Sequence, residues 1–282
     1  MKIAIVVPCY NGAQYIGPCL QAIGKQSYAP DEVLVIDDGS TDESAALAAR
    51  YPVRLIRHPE NLGLATARNT ALAQTQADVI VYVDVDAYAD PAMLAALVTP
   101  FQAEAVTGVG GQGIEVVRET LYDRWRGLHA SQSHGSQPRE RCAHLYGLCM
   151  AYRREALVKA GGFDLRFRTN AEDVDMGFRL NDLGGCLRYV PQARVYHQRR
   201  DDHQSLRRTV YRWYYWGFMA KRKNGRRAAS TLLAGAVRRL VWSDLWPDLL
   251  VRRSVGLAKL DLEMFVVRLQ AIRDAAQALP IG

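Results

Sequence analysis

The chain has 282 residues, 49% of them apolar, which is enough to build a large core and excludes disorder for most of its length. Its length allows one large α/β domain, or one domain with a helical appendage. The net charge of +7 divides unevenly: residues 1–117 carry 6 basic and 13 acidic side chains, and residues 118–282 carry 30 and 16, so the first part suits a cation and the second an anionic partner such as nucleotide phosphate, phospholipid or nucleic acid.

The opening "MKIAIVVPCYNG" has one lysine and a short apolar run. It reads as a first core strand and not as a signal peptide, and no segment reads as a membrane span. Val and Ile fill Lys2–Val7, Glu32–Asp37, Val53–His58 and Asp78–Asp84, which predicts four buried strands. Helices are predicted between them near Tyr15–Lys25, Asp42–Arg50 and Leu64–Gln74. "GSTDES" (Gly39–Ser44) forms a turn into a helix, with Ser40, Thr41 and Asp42 as cap candidates. This alternation argues an α/β fold with a mostly parallel central sheet flanked by helices. Ligands in such sheets bind at the C-terminal ends of strands, and here those ends carry "PCYNG", "DDGSTD" and "DVDAY".

The middle is less regular. "GVGGQG" (Gly108–Gly113) lacks dinucleotide-binding spacing and reads as a tight turn or a strand, and Ser131–Cys142 reads as a loop. Beyond about Arg199 the pattern turns helical. Leu257, Leu260, Met264, Val267 and Ala271 share one helix face, and Leu232, Leu233, Ala236, Val237, Leu240 and Val241 share another. A catalytic region over 1–200 and a C-terminal helical extension over 201–282 are therefore expected. "RRTVYRWYYWGFMAKRKNGRR" (Arg207–Arg227) interleaves aromatic with basic residues. Three readings compete for it: a helix packed on the catalytic domain, a helix on an anionic membrane surface with Trp213, Trp216 and Phe218 inserted, or a nucleic-acid contact, which ranks last. The five cysteines show no CxxC spacing, so they read as reduced, mostly buried thiols of a cytoplasmic protein without a zinc site.

Acidic residues recur at the predicted strand ends. Asp84 and Asp86 stand one residue apart, where like charges repel; a divalent cation with oxygen ligands would relieve that, and a pair of loop caps is the alternative. Asp37 and Asp38 end a neighbouring strand. Glu172, Asp173 and Asp175 open a helix-like run, either as ordinary N-terminal stabilisation or with one of them as a general base. His197, followed by Arg199 and Arg200, ends another strand-like run and reads as a basic turn or as a group facing phosphates.

Taken in order, "VVPCYNG", "VIDDGSTD", "NLGLATARNTAL", "VYVDVDAY", "LYGLCMAYRREALVKAGGFD", "EDVDMGFRL" and "VYH" resemble the motif set of the family-2 glycosyltransferases, which have the GT-A fold. The resemblance runs from Lys2 to about His197. It implies that Tyr10 lies against the base of a nucleotide-sugar donor and that Asp38 accepts a hydrogen bond from that base. Arg68 would approach the nucleotide, and Asp84 the ribose and the metal's waters. Asp86 would ligate Mg²⁺ or Mn²⁺, with His197 near the metal or the diphosphate. Asp173 would be the base, with Glu172 beside it for the acceptor, and Gly147 would permit close backbone approach. Gly108–His144 matches no part of the pattern. The Q-x-x-R-W arrangement of processive synthases is absent, because Thr209 stands where its glutamine would.

The resemblance thus implies an inverting, metal-dependent transfer of a sugar from a nucleotide diphosphate to an acceptor hydroxyl. UDP is the expected nucleotide, with GDP and dTDP open, and a glycan or lipid-linked acceptor fits bacterial polysaccharide or glycolipid assembly. The protein would be cytoplasmic, with a peripheral place on the inner face of a membrane as an option, and would have no nucleic-acid partner. A nucleotidyltransferase and a non-catalytic nucleotide-sugar-binding protein are the alternatives. The first lacks its usual glycine-rich loop with lysine, and the second leaves the acidic clusters without a task.

Overall fold

The computed structural model describes residues 1–227 and 229–278. The chain runs through β1 (Ile3–Cys9), α1 (Ala13–Gly24), β2 (Glu32–Asp37), α2 (Ser44–Ala48), β3 (Arg54–Arg57), α3 (Leu64–Gln74) and β4 (Val79–Val83). There follow β5 (Ala87–Ala89), α4 (Met93–Val98), β6 (Val106–Glu115), α5 (Leu121–His129), β7 (Cys149–Arg153), α6 (Arg154–Lys159), α7 (Glu172–Asp182) and β8 (Cys186–His197). Helices α8 (His203–Lys223), α9 (Ala229–Arg238) and α10 (Val255–Gln277) complete it, with π-helical turns over Arg239–Leu245 and Pro247–Val251. The glycine-rich "GVGGQG" is therefore a strand, inside β6.

The eight strands form one sheet in the order β3-β2-β1-β4-β7-β6-β8-β5. Strands β1 and β4, at its centre, are buried throughout because both faces are covered. Side chains alternate between faces along a strand. Ile3, Ile5 and Val7 join Val79, Val81 and Val83 in one core, against Ile16, Cys19, Leu20 and Ile23 of α1. Ala4, Val6, Ile80 and Tyr82 join a second core, against Ala65, Ala67, Ala71 and Leu72 of α3. The five cysteines are free, and four of them are buried.

The expected parallel pairing holds for β3, β2, β1 and β4. Beyond β4 the sheet turns antiparallel: β7 runs against both β4 and β6, and β5 against β8. The sheet is therefore mixed. The four strands predicted as buried all came from the βα repeats of the first ninety residues or so, where crossovers force parallel pairing. This reversal positions the site. Val83, at the end of β4, is paired with Cys149, at the start of β7, which sets the Gly147–Leu148 backbone beside Asp84.

The chain divides into two compact units. One comprises Met1–Ile114 with Gln132–Gln198; the other comprises Glu115–Ser131 with the chain from Arg199 onward. The first unit thus ends close to the boundary expected at residue 200, and the inner piece Glu115–Ser131, which contains α5, belongs to the second. That helix opens with a reciprocal cap between Thr120 and Asp123 and goes with the C-terminal helices.

In this second unit Trp125 packs with Leu206, Val210, Leu257, Leu260, Met264 and Val267. The face predicted for α10 is buried as expected. The face predicted for α9 is not: Ala236 is buried, but Leu233 and Val237 are exposed. In the π-helical turns that follow, Asp244 and Asp248 turn inward instead. They meet His129 at Nδ1 (3.2 Å) and Nε2 (3.0 Å), and Asp261 lies 3.8 Å from Nε2. Arg268 adds a second cation, 2.9 Å from Asp244. On α8, Phe218 is buried and the Arg126 guanidinium lies 5.4 Å from the Trp213 ring, so the three aromatics expected at a membrane do not share an outward face.

Candidate active site

Parallel strands end on the same edge of a sheet, so β1, β2 and β4 deliver Tyr10, Asp37, Asp38, Asp84 and Asp86 to one rim. Two loops are tied together there. Asn11, in the left-handed region at φ 48°, donates its N–H to Ser40 Oγ at 2.9 Å, and its own Oδ1 accepts from the Thr41 N–H at 2.9 Å. Tyr10 stands beside them, exposed.

Asp38 is buried and well occupied. Its Oδ1 accepts from His58 Nδ1 (2.6 Å) and from the Leu62 N–H (3.0 Å), and its Oδ2 from the Gly63 N–H (2.8 Å). Oδ2 keeps capacity for one more donor. Asp37 accepts from Arg57 Nε at 2.8 Å. The first task of this acidic pair is therefore to fix the loop leading into α3. His58 and Arg57 were missed in the sequence because an imidazole and a guanidinium after a short strand read as surface groups. Their spacing to Asp37 and Asp38, across a strand pair, was the available signal.

The acids of β4 are joined to those of α7 by one buried side chain. Arg68, on α3, is fully buried. It pairs with Glu172 through Nη1, and its Nη2 lies 3.2 Å from both Asp84 Oδ1 and the Gly147 carbonyl oxygen. Its guanidinium also lies 5.7 Å from the Tyr82 ring and 5.6 Å from the Phe163 ring. The resemblance has this arginine approach a nucleotide; in the structure it is buried and paired with Glu172 and Asp84. Gly147 shows why the fit is close: a Cβ there would stand 2.6 Å from Arg68 Nη2. The backbone approach it permits is that of Arg68.

Gly147 also reaches the remaining acid. Its N–H donates to Asp173 Oδ2 at 2.8 Å, and the Val174 N–H donates to Asp173 Oδ1 at 2.8 Å. Asp173 is half-buried at the first turn of α7, behind Ala171, which holds a left-handed φ of 68°. A non-glycine residue in that region costs of order 1–3 kcal/mol and persists where its surroundings over-determine it. Here it turns Glu172 inward, to Arg68, and leaves Asp173 at the rim.

The electrostatics follow from burial and charge. Burial pushes the Asp84 carboxyl above its ordinary range, Arg68 pulls it back, and the Asp86 charge raises it again. Burial likewise raises the Glu172 carboxyl, against the pull of Arg68 and with a further push from Asp173. On the other flank, β5 pairs with β8 so that Ala87 faces His197, and His197 Nε2 lies 3.2 Å from Asp86 Oδ2. Two carboxylates that raise each other's cost of ionisation, with an imidazole against one of them, make a donor set that fits Mg²⁺ or Mn²⁺. Among the described residues, a tighter group with ligand atoms within 4.8 Å of one another is His129, Asp248 and Asp261, in the other unit. There, His129 and Arg268 already supply the positive charge that the acids require.

Comparison with known proteins bears on the family and the fold. The model for "Glycosyl transferase family 2" matches residues 4–161. A pre-mycofactocin glycosyltransferase of Mycobacterium tuberculosis is 28% identical over 224 residues, covering 76% of this chain and 46% of that protein, so the chain spans about half of that relative's length. The N-acetylglucosaminyl-diphospho-decaprenol L-rhamnosyltransferase of the same organism is 29% identical over 233 residues, covering 70% of this chain and 76% of that protein. Among solved structures, a mannosyltransferase from Pyrobaculum calidifontis in complex with GDP-Man and Mn²⁺ superposes with a TM-score of 0.62 at 21% identity, over 99% of this chain and 76% of that one. Glucosyl-3-phosphoglycerate synthase of M. tuberculosis, in complex with Mn²⁺, UDP and glucosyl-3-phosphoglycerate, gives 0.53 at 21% identity, over 71% and 73%. These likenesses are of fold, and the fold is GT-A.

Proposed function

The chain belongs to glycosyl transferase family 2, and from that premise we propose an inverting transfer of a sugar from a nucleoside diphosphate to an acceptor hydroxyl, dependent on Mg²⁺ or Mn²⁺. A UDP-sugar is the proposed donor. A glycan or lipid-linked acceptor at the cytoplasmic face of a bacterial membrane is the proposed partner; the relative whose name carries diphospho-decaprenol supports the lipid-linked choice. The observation that supports this reading most is the Arg68 connection, because it couples the acids of the β4 rim to those of α7.

Each residue has a task in that reaction. Asp86, with His197 against it and Asp84 one residue away, would hold the ion. When bound, the ion neutralises charge on the departing diphosphate, a contribution of several kcal/mol. Asp173, held by the Gly147 and Val174 N–H groups, takes the proton from the acceptor hydroxyl. That oxygen attacks the anomeric carbon as the bond to the diphosphate breaks and its electrons leave with the diphosphate. One displacement inverts the configuration and requires no protein nucleophile. Arg68 positions Glu172 and the Gly147 carbonyl, and Tyr10 offers an exposed ring to the base.

A single calorimetric series tests the reading: UDP-, GDP- and dTDP-sugars titrated with and without Mn²⁺, into the native chain and into Asp86→Ala and Asp173→Asn. One donor should bind in a chelator-sensitive way, and Asp86→Ala should lose that sensitivity. Asp173→Asn should keep the affinity and abolish transfer. Full transfer by Asp173→Asn would remove the base; donor affinity indifferent to chelator would remove the metal.

A further inference from the structure

Helix α9 and the π-helical turns after it present an inverted amphipathic face. A helix on a water-soluble protein buries its apolar stripe and solvates its charges. Within the π-helical turns Asp244 and Asp248, four residues apart, are the buried positions, held by His129, Arg268 and Arg252. The apolar residues point outward: Trp242 is 76% exposed, Trp246 49%, Leu250 68% and Val251 80%. Leu233 and Val237 continue the exposed apolar set on α9. Steps of four and five residues keep Trp242, Trp246 and Val251 together, because a π-helix closes its turns over five residues.

The exposed charges of this segment have one sign. From Arg226 to Lys259 the chain carries seven Lys and Arg and two acids, and both acids are the buried ones. Arg238 and Arg239 precede the two tryptophans, and Arg252 and Arg253 follow them; Arg239 donates to the His129 carbonyl oxygen at 3.1 Å and Arg252 pairs with Asp248, while Arg238 and Arg253 are exposed. Paired aromatic rings between arginine pairs match the layers of an anionic bilayer surface. Trp settles at the headgroup level, aliphatic chains enter the acyl boundary, and arginines meet lipid phosphates. Among the described residues no helix is long and apolar enough to cross a membrane, so the contact is one that lies on the surface.

We propose that the outward face of residues 233–251, with Trp242 and Trp246 at its centre and arginine pairs at its sides, docks the protein on an anionic lipid surface. The membrane contact thus moves from the aromatics of α8, where the sequence suggested it, to this segment. It rests on the lipid-linked part of the proposed function. It is tested without donor or acceptor, so its failure leaves the transfer chemistry standing.

The experiment uses the full chain and vesicles of phosphatidylglycerol and phosphatidylcholine. The native chain should float with anionic vesicles at low salt and not with phosphatidylcholine alone. Its tryptophan emission should shift to the blue and be quenched by lipids brominated near the headgroup. Trp242→Ser with Trp246→Ser, both at exposed positions, should weaken partitioning by about tenfold or more while thermal unfolding is unchanged. Arg238→Gln and Arg253→Gln should each weaken it roughly fivefold at low salt, with the loss fading as salt rises. No flotation with anionic vesicles overturns the proposal, as does flotation undiminished by the double tryptophan variant. Sedimentation of the native chain as a dimer that the same variant dissolves would assign the face to a second copy and would also overturn it.

Discussion

Removing the Arg68 guanidinium tests whether the rim depends on one buried charge. In Arg68→Met, Glu172 stays in place with its side chain 4% exposed and its partner gone, and Asp84 loses its counter-charge at 30% exposure. Truncating one member of a buried ion pair costs about 3–5 kcal/mol, because the other charge is left without a partner. Glu172 has an escape: its carboxyl is already pushed upward by burial, so it takes a proton and the cost stays toward the lower end. For a unit of this size 1 kcal/mol moves the midpoint by about 2–4 °C, so a fall of roughly 6–20 °C is expected by circular dichroism. Glu172→Gln removes the stranded acid. The pair Arg68→Met with Glu172→Gln should therefore be less destabilised than the sum of the single changes, by more than about 0.5 kcal/mol in urea unfolding. Simple additivity would show that the two side chains do not share a charge network and would refute the role given to Arg68.

Two further outcomes are expected. Gly147→Ala inserts a Cβ 2.6 Å from Arg68 Nη2 and displaces the segment whose N–H holds Asp173, so kcat should fall roughly 10²-fold with donor affinity little changed; equal losses in both would contradict a positioning role. The second concerns His129. Burial pulls its pKa down, but Asp244, Asp261 and Asp248 outweigh that and hold it above 6.5. The folded chain therefore binds this proton more tightly than the unfolded chain. Its stabilisation is complete below pH 6.5 and drains away as pH rises through the folded value. All five tryptophans lie in the unit that contains His129, so the midpoint read by their fluorescence should fall from pH 6.5 upward, and His129→Asn should flatten that slope.

Most of the first half of the fold was legible because one physical rule governs it. A strand covered on both faces must be apolar along its buried length, and β1, β4 and the Val33–Ile36 run of β2 are. The acids at the ends of such runs stand out, which is why Asp38, Asp84 and Asp86 could be singled out from the sequence, whereas Asp173 opens a helix and was named as a base only through the family resemblance. Legibility ended where a side chain's meaning depends on a distant partner. The resemblance singles out Arg68 as a nucleotide contact, but only the fold shows Glu172, 104 residues away, across from it. The antiparallel half of the sheet was hidden for a related reason: β6 is rich in glycine, and the partners of β7 lie far off in sequence.

The C-terminal unit shows the same dependence with its sign reversed. Periodicity found the buried stripe of α10 because Leu257, Leu260, Met264 and Val267 pack in an apolar cluster with Trp125, Leu206 and Val210. Applied to the segment after it leaves α9, the same rule names Trp242, Trp246 and Leu250 as core and Asp244 and Asp248 as surface, which is the opposite of what the fold does. The reversal has a local cause. His129 brings a buried imidazole with two ring nitrogens to satisfy, and two acids one helical turn apart satisfy both. Once those acids face inward, helix geometry obliges the tryptophans to face outward. The exposed apolar face is thus fixed by a charge requirement inside the protein, not left over from imperfect packing. Breaking the His129 cluster should then disturb vesicle binding as well as stability, since the same turn of helix carries both.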